Sequence, residues 1–312
     1  MGILHSLIAQ GWPPKSKFNV QDIPDMSGKI VIVTGANAGL GKETAKALLA
    51  KNAKVYMGCR SEEKGNAAIE ELFKETGKRG ILLRFDLGDL KSVKAGAEEF
   101  LSKEKELHVL FNNAGIMAVP VSELTTDGYD LQFGVSVIAH FYLTKLLLPT
   151  LMHTATLSPD GKARVVNTAS LAHEFVSPID FNTFKDCPQR RKLSTDQLYA
   201  HSKLGNVIFA TELARRYGDK GIVSTSLNPG NIRTDLQRHL KGLRSFIIDC
   251  IVHDAPYGAL TQLYAGTSPE GASFNGKYLI PWARIGTATP VSQNPKAGTD
   301  LWNWLEEQVK DI

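Results

Sequence analysis

From Lys29 onward the chain alternates between short apolar runs and longer mixed stretches. KIVIVTG reads as a buried strand, KETAKALLAKN as a helix, KVYMGCR as a strand, EEKGNAAIEELFKE as a helix and ILLRFDL as a strand. The order continues with the helix LKSVKAGAEEFLSKEK, the strand HVLFNNAG and a long helix from about 129 to 151. The strand RVVNTAS, a helix around Tyr199 and the strand IVSTSLNPG follow. Such alternation predicts an α/β fold of βαβ units, a doubly wound parallel sheet with helices on both faces. No internal repeat, low-complexity tract or Pro/Gly/Ser linker divides it. The reading is therefore one domain over 29–312, preceded by a tail over 1–28 and closed by a helix near LWNWLEEQVK.

Composition narrows the class. With 312 residues, 43% hydrophobic and 22% charged, the chain has the profile of a globular protein with a sizeable core. Its 36 Lys+Arg against 32 Asp+Glu is only mildly basic, and no run of like charges tracks a phosphate backbone, so no nucleic-acid partner is expected. Cys59, Cys187 and Cys250 lie far apart without CxxC spacing, which argues against a metal site and a disulfide framework and suits a reducing compartment. No stretch reaches the roughly 18 apolar residues of a membrane span, and the start MGILHSLIAQGW is too short and lacks the positive flank of a secretory signal. A cytoplasmic protein is expected. The same start fits the acylation pattern M-G-x-x-x-S/T through Gly2 and Ser6, with Lys15 and Lys17 downstream. Two readings stand: an acylated tail giving weak peripheral membrane association, or a greasy tail packed on the body. The uncharged run LQFGVSVIAHFYLT reads as a helix buried against the sheet or a second subunit rather than as a span.

In a doubly wound sheet the ligand sits beyond the carboxyl ends of the strands. The first strand ends in TGANAGLG at 34–41. Gly35 suits a tight turn, Gly39 lets backbone approach a pyrophosphate, Gly41 lets helix pack close to strand, and the helix N-terminus faces the anion. Placed between a strand and a helix, the motif points to a dinucleotide in a single-domain Rossmann fold. About 20 residues on, where an NAD site has an acidic residue, the chain has Arg60 in MGCRSEEK. A guanidinium there suits a 2′-phosphate and hence NADP; the alternative is a surface pair with Glu62 or Glu63.

TGANAGLG, the FDL ending at Leu87, NNAG ending at Gly115, Ser170 in NTAS, YAHSK from Tyr199 to Lys203 and NPG ending at Gly230 together resemble the short-chain dehydrogenase/reductase family, over about residues 28–285. TGANAGLGKETA, VYMGCRS, LAH and HSKLGN resemble most the retinol dehydrogenase and WW-domain-oxidoreductase-like branch, as in many fungal members. The resemblance implies that Tyr199 is the general acid/base, Lys203 its activator and nicotinamide-ribose ligand, and Ser170 the donor polarising a substrate carbonyl. It also implies Asp86 near the adenine, Asn113 on the adenosine side and Thr234 at the nicotinamide amide. Carried along the motifs, the cofactor contacts are Gly35, Asn37, Gly39, Leu40, Gly41, Arg60, Asp86, Leu87, Asn113, Ala114, Gly115, Tyr199, Lys203, Pro229, Gly230, Ile232 and Thr234. A homodimer through the long helix and the YxxxK helix is likewise implied. The chemistry agrees: tyrosine titrates near pH 10, so a nearby cation is needed to release its proton closer to neutrality.

One departure stands out. Related enzymes carry VNxxGHF on the long helix, where the asparagine holds a water joining the lysine to solvent; here the stretch is VSVIAHF, with Ser136 in that place. Its hydroxyl offers less hydrogen-bonding capacity than an amide and can turn back onto the carbonyl four residues earlier, leaving the relay water unheld; the alternative is that a second water fills the gap at little cost. Ser136 is therefore read as a weakened member of the catalytic set.

The substrate signal is thinner. Phe175, Phe181 and Phe184 lie between Ser170 and Tyr199, and Leu236, Leu240, Leu243, Ile247 and Ile251 recur at helical spacing in a lid segment at about 231–256. They cover either core or a bulky lipophilic carbonyl or alcohol substrate. Two other function classes are open: an NADP-binding scaffold that lost turnover, and a C=C reductase such as the light-dependent protochlorophyllide reductases, which share TGANxGxG and YxxxK.

Overall fold

A computed structural model describes residues 3–176, 178–232 and 253–312, with side chains from residue 6 onward. After helix α1 (Ile3–Gly11) the chain runs β1 (Ile30–Thr34), α2 (Gly39–Ala50), β2 (Lys54–Cys59), α3 (Glu62–Thr76), β3 (Ile81–Arg84), α4 (Leu90–Lys103) and β4 (Val109–Asn112). Helix α5 (Leu131–Leu157) follows, then β5 (Ala163–Thr168), α6 (Thr195–Tyr217), β6 (Ile222–Leu227), α7 (Ala255–Thr267), β7 (Tyr278–Ile280), β8 (Arg284–Gly286) and α8 (Pro295–Val309). The predicted parallel sheet forms, in the order β3-β2-β1-β4-β5-β6-β7-β8. All pairings are parallel except β7 with β8.

Alternation within the strands explains the two cores. Ile32 of β1 joins Leu110 and Val165 in the core beneath α4, α5, α6 and α8. Its neighbours Val31 and Val33 join Val109, Phe111 and Val166 in the core beneath α2, α3 and α7. Strands buried on both faces read as continuous apolar runs, which is why they stood out in the sequence.

Helix α5 is 27 residues long and holds an 18-residue window of mean hydropathy 1.5, so by length and composition it could cross a membrane. That corrects the expectation that no stretch reaches such a length. Its most apolar window is 72% buried within the protein, in accord with a core helix. It starts near the expected residue but runs six residues past Leu151 and carries a π-helical turn at Gly134–Ile138. Phe18, Ile23 and Met26, assigned by sequence to the tail, are buried in the core with Val31 and Leu48. Gly2 lies outside the described residues, as do Thr234, Cys250 and the five Leu and Ile of the expected lid helix.

Candidate active site

The strand order reverses between β1 and β4, and a cleft of about 1210 Å³ opens there beyond the strands' carboxyl ends. Gly35 (φ +68) and Gly39 (φ +52) take left-handed conformations at the turn from β1 into α2. A Cβ on Gly41 would stand 2.3 Å from the Gly35 carbonyl oxygen and 2.6 Å from Asn113 Nδ2. Only glycine allows this approach. Ala38 gives α2 no side-chain cap, so the first amides of α2 are left to an anion in the cleft.

Beneath the cradle lies a buried polar floor. Asn113 and Ala114 donate their N–H groups to Thr34 Oγ1 at 3.0 and 2.9 Å. His140 Nδ1 donates to the Ser136 carbonyl at 3.0 Å, so its Nε2 accepts from Thr34 Oγ1 at 2.9 Å. Burial pushes His140 down to about 4, which keeps it neutral in this role. Gln262 of α7 ties the floor together: its Oε1 accepts from Thr168 Oγ1 at 2.9 Å, and its Nε2 donates to Asn113 Oδ1 at 3.2 Å and to Thr44 Oγ1.

At the far end, Arg60 and Arg84 lie side by side because the parallel register sets Cys59 opposite Arg84. With Phe85, Asp86 and Ser92 they line a side pocket of about 330 Å³. Arg60 approaches Asp86 at 3.9 Å, while Glu62 is taken by Arg84 at 3.6 Å. The alternative pairing of Arg60 with Glu62 or Glu63 is not formed; its neighbour is a carboxylate that itself lines the cleft. Arg84 carried no signal in the sequence, because only strand pairing brings it beside Arg60.

Tyr199 and Lys203 share one face of α6, one turn apart, and Ser170 caps the short 3-10 turn Leu171–Phe175 after β5. Ser170 Oγ accepts from the Ala172 N–H at 3.2 Å, and Ser170 lines the cleft with Tyr199. Lys203 Nζ lies 5.5 Å from the Tyr199 ring centroid and donates to the Thr168 carbonyl at 3.2 Å. Burial dominates both groups: it pushes the Tyr199 hydroxyl up to about 12, against a smaller lowering by Ser170, and Lys203 down to about 8. The sequence argument that a lysine one turn away would ease the tyrosine proton off near neutrality does not describe this site without its cofactor; desolvation outweighs the lysine field.

Ser170, Tyr199, Lys203 and every cofactor residue expected from sequence within the described residues line this cleft. Leu40 and Ile232 pack together with Trp282, and a Cβ on Gly230 (φ +88) would meet the same indole at 2.8 Å. Ser136 does not line the cleft. It is fully buried in the π-helical turn, and its hydroxyl has no hydrogen-bond partner. The bond back to the carbonyl four residues earlier is therefore absent. Phe175, Phe181 and Phe184 do not line it either: Phe184 stacks on Phe133 at 3.5 Å, Phe181 and Phe184 pack on Trp304, and Phe175 is exposed. The apolar lining comes instead from Ile116, Met117, Val119, Leu124, Leu131 and Val135. The segment after NNAG offered no periodic pattern by which to find them.

Cleft and fold together define the class, an α/β enzyme built to hold a nicotinamide dinucleotide. The short chain dehydrogenase pattern matches residues 29–180. A short-chain dehydrogenase/reductase of Armillaria gallica is 57% identical over 311 residues, spanning 100% of both chains. Retinol dehydrogenase 12 of Homo sapiens is 40% identical over 281 residues, covering 89% of this chain and 85% of that one. Among solved structures, a short chain dehydrogenase from Burkholderia cenocepacia in complex with NADP shares 25% identity at TM-score 0.65, over 83% of this chain and 98% of that one. The chain belongs to the short-chain dehydrogenase/reductase family. It is an oxidoreductase acting between CH–OH and C=O groups.

Proposed function

We propose that the protein is an NADP-dependent reductase of lipophilic aldehydes or ketones, with Tyr199 as general acid. The observation that carries this is the half-buried Tyr199 hydroxyl lining the cleft with Ser170, held protonated up to about 12 and one turn from Lys203. Such a tyrosine is stored as a proton donor at neutral pH, which suits carbonyl reduction. The donor set of the cleft fits the cofactor: the α2 amides for the pyrophosphate, Asp86 and Leu87 at the adenine, and Arg60 with Arg84 for the 2′-phosphate. Asn113, Ala114, Gly115, Pro229, Gly230 and Ile232 line the rest of the cleft, toward the nicotinamide. Bound there, a reduced nicotinamide supplies the hydride. Ser170 donates to the substrate oxygen as charge develops, Tyr199 delivers its O–H proton to that oxygen, and the Lys203 ammonium, charged below about pH 8, stabilises the tyrosinate left behind.

The apolar lining from Ile116 to Val135 supports a substrate with few polar handles, in keeping with the retinol named in one relative. A protein that only bound the nucleotide would have no use for a buried lysine set one turn from a tyrosine and a serine that line the same cleft. NADPH consumption against a panel of lipophilic aldehydes and ketones tests the reading, with Tyr199→Phe as the control. The variant should lose about 10² to 10⁴ in turnover while binding NADPH nearly as well as wild type. Turnover within a few-fold of wild type would show that another group is the acid.

A further inference from the structure

Helix α1 ends between the two loops that bear on the reaction. Gln10 is almost fully buried, and both ends of its amide are used. Its Nε2 donates to Glu174 Oε1 at 3.1 Å and to Ser6 Oγ at 2.7 Å, and Ser6 Oγ donates to the same Glu174 oxygen at 2.5 Å. Its Oε1 accepts from Asn228 Nδ2 at 2.9 Å and from the Tyr278 hydroxyl at 3.4 Å. Glu174 sits on the short turn that Ser170 caps. Asn228 opens NPG, and its Oδ1 accepts the Gly230 N–H at 3.0 Å. From the sheet edge, Arg284 Nη2 donates to the Ala9 carbonyl at 2.7 Å and holds the end of α1 in place.

A greasy tail lying on the body would need only apolar contact. Here a neutral amide donates to a carboxylate and accepts from an amide at once. Glutamate at neutral pH could not donate, and leucine could do neither. Because Gln10, Asn228 and Tyr278 are out of water, losing the amide oxygen of Gln10 strands a buried donor.

We propose that α1 is part of the active site and that Gln10 is a positioning residue, setting the separation of the Ser170 turn from the NPG loop and so the seat of the carbonyl substrate. This rests on the reading of those two loops given under Proposed function.

The test exchanges the two groups. Gln10→Glu sets a second carboxylate against Glu174, and should lower kcat/KM for decanal about tenfold or more. Adding Glu174→Gln restores one amide and one carboxylate in swapped order, and should bring kcat/KM back toward wild type. Independently of turnover, amide hydrogen exchange over 228–232 should quicken in Gln10→Glu and slow again in the double variant. The proposal is overturned if the folded single variant keeps wild-type kcat/KM, if the double variant is no better than the single, or if exchange over 228–232 does not change. Absence of decanal turnover by the wild type would count against the functional reading, and the exchange result alone would then decide the coupling.

Discussion

Replacing Lys203 by Met should make the cofactor-free protein more stable. Burial lowers Lys203 from 10.5 to about 8, and at about 1.4 kcal/mol per tenfold change in proton affinity the buried ammonium costs the folded state roughly 3 kcal/mol at neutral pH. Methionine keeps most of the stem's packing but loses the hydrogen bond to the Thr168 carbonyl, worth about 1 kcal/mol. The net gain is about 2 kcal/mol, or about 3 °C in Tm for a chain of this size. The sign follows from proton linkage. Between about 8 and 10.5 the unfolded chain binds more protons than the folded one, so wild-type stability gains from this group as pH rises through that window. The advantage of Lys203→Met is therefore full below about pH 8 and vanishes near 10.5. Tyr199, raised to about 12, and Cys59, raised to about 11, titrate in both proteins and largely cancel in the difference. Calorimetry of both proteins without cofactor, at about pH 7 and about pH 10, reads the effect. Equal melting at pH 7, or a gap that does not shrink with rising pH, would refute the reasoning. The same variant should lose carbonyl turnover, so the site holds its lysine at the expense of stability.

Arg60→Asp should reverse cofactor preference: a charge-assisted phosphate contact worth about 1.5–3 kcal/mol corresponds to at least about tenfold tighter NADPH than NADH in the wild type, and equal Kd values there would remove the argument. Ser136→Asn should raise turnover without changing NADPH affinity, because it fills the place of an orphaned buried hydroxyl with an amide able to hold a water; the step gained is about 5- to 150-fold if that water limits proton delivery, and unchanged turnover in a folded variant ends the idea. Arg190→Met should cost about 3–5 kcal/mol, since Arg190 Nη2 donates to Asp130 at 2.8 Å and to the Glu123 carbonyl at 3.1 Å in near-complete burial. Adding Asp130→Asn should recover part of that loss by removing the stranded charge while an asparagine still caps α5 through the Phe133 N–H, and chemical denaturation measures both.

Strands β1 to β6 and the cofactor cradle were legible because their causes are local, whereas the short edge strands β7 and β8 carried no signal. A parallel strand buried on both faces is a continuous apolar run wherever it lies, and the turn from Thr34 to Gly41 tolerates only glycine at positions where the backbone is left-handed or a carbonyl stands within 2.3 Å of a Cβ. The pairing of Tyr199 with Lys203 needs only one helical turn. What the chain could not disclose depends on partners distant in sequence. Gln10 reads as one more residue of a greasy tail until folding sets it on Asn228, 218 positions away. Gln262 is an ordinary residue of α7 until it bridges Thr168 and Asn113. Phe181 and Phe184 could be core or substrate contacts, because an aromatic between two catalytic residues has no periodicity to show which way it faces; the packing of α8 settled it by giving them Trp304. The direction of the tyrosine's proton affinity was likewise decided in three dimensions, since spacing supplies the lysine but only burial sets the solvent against which its field acts.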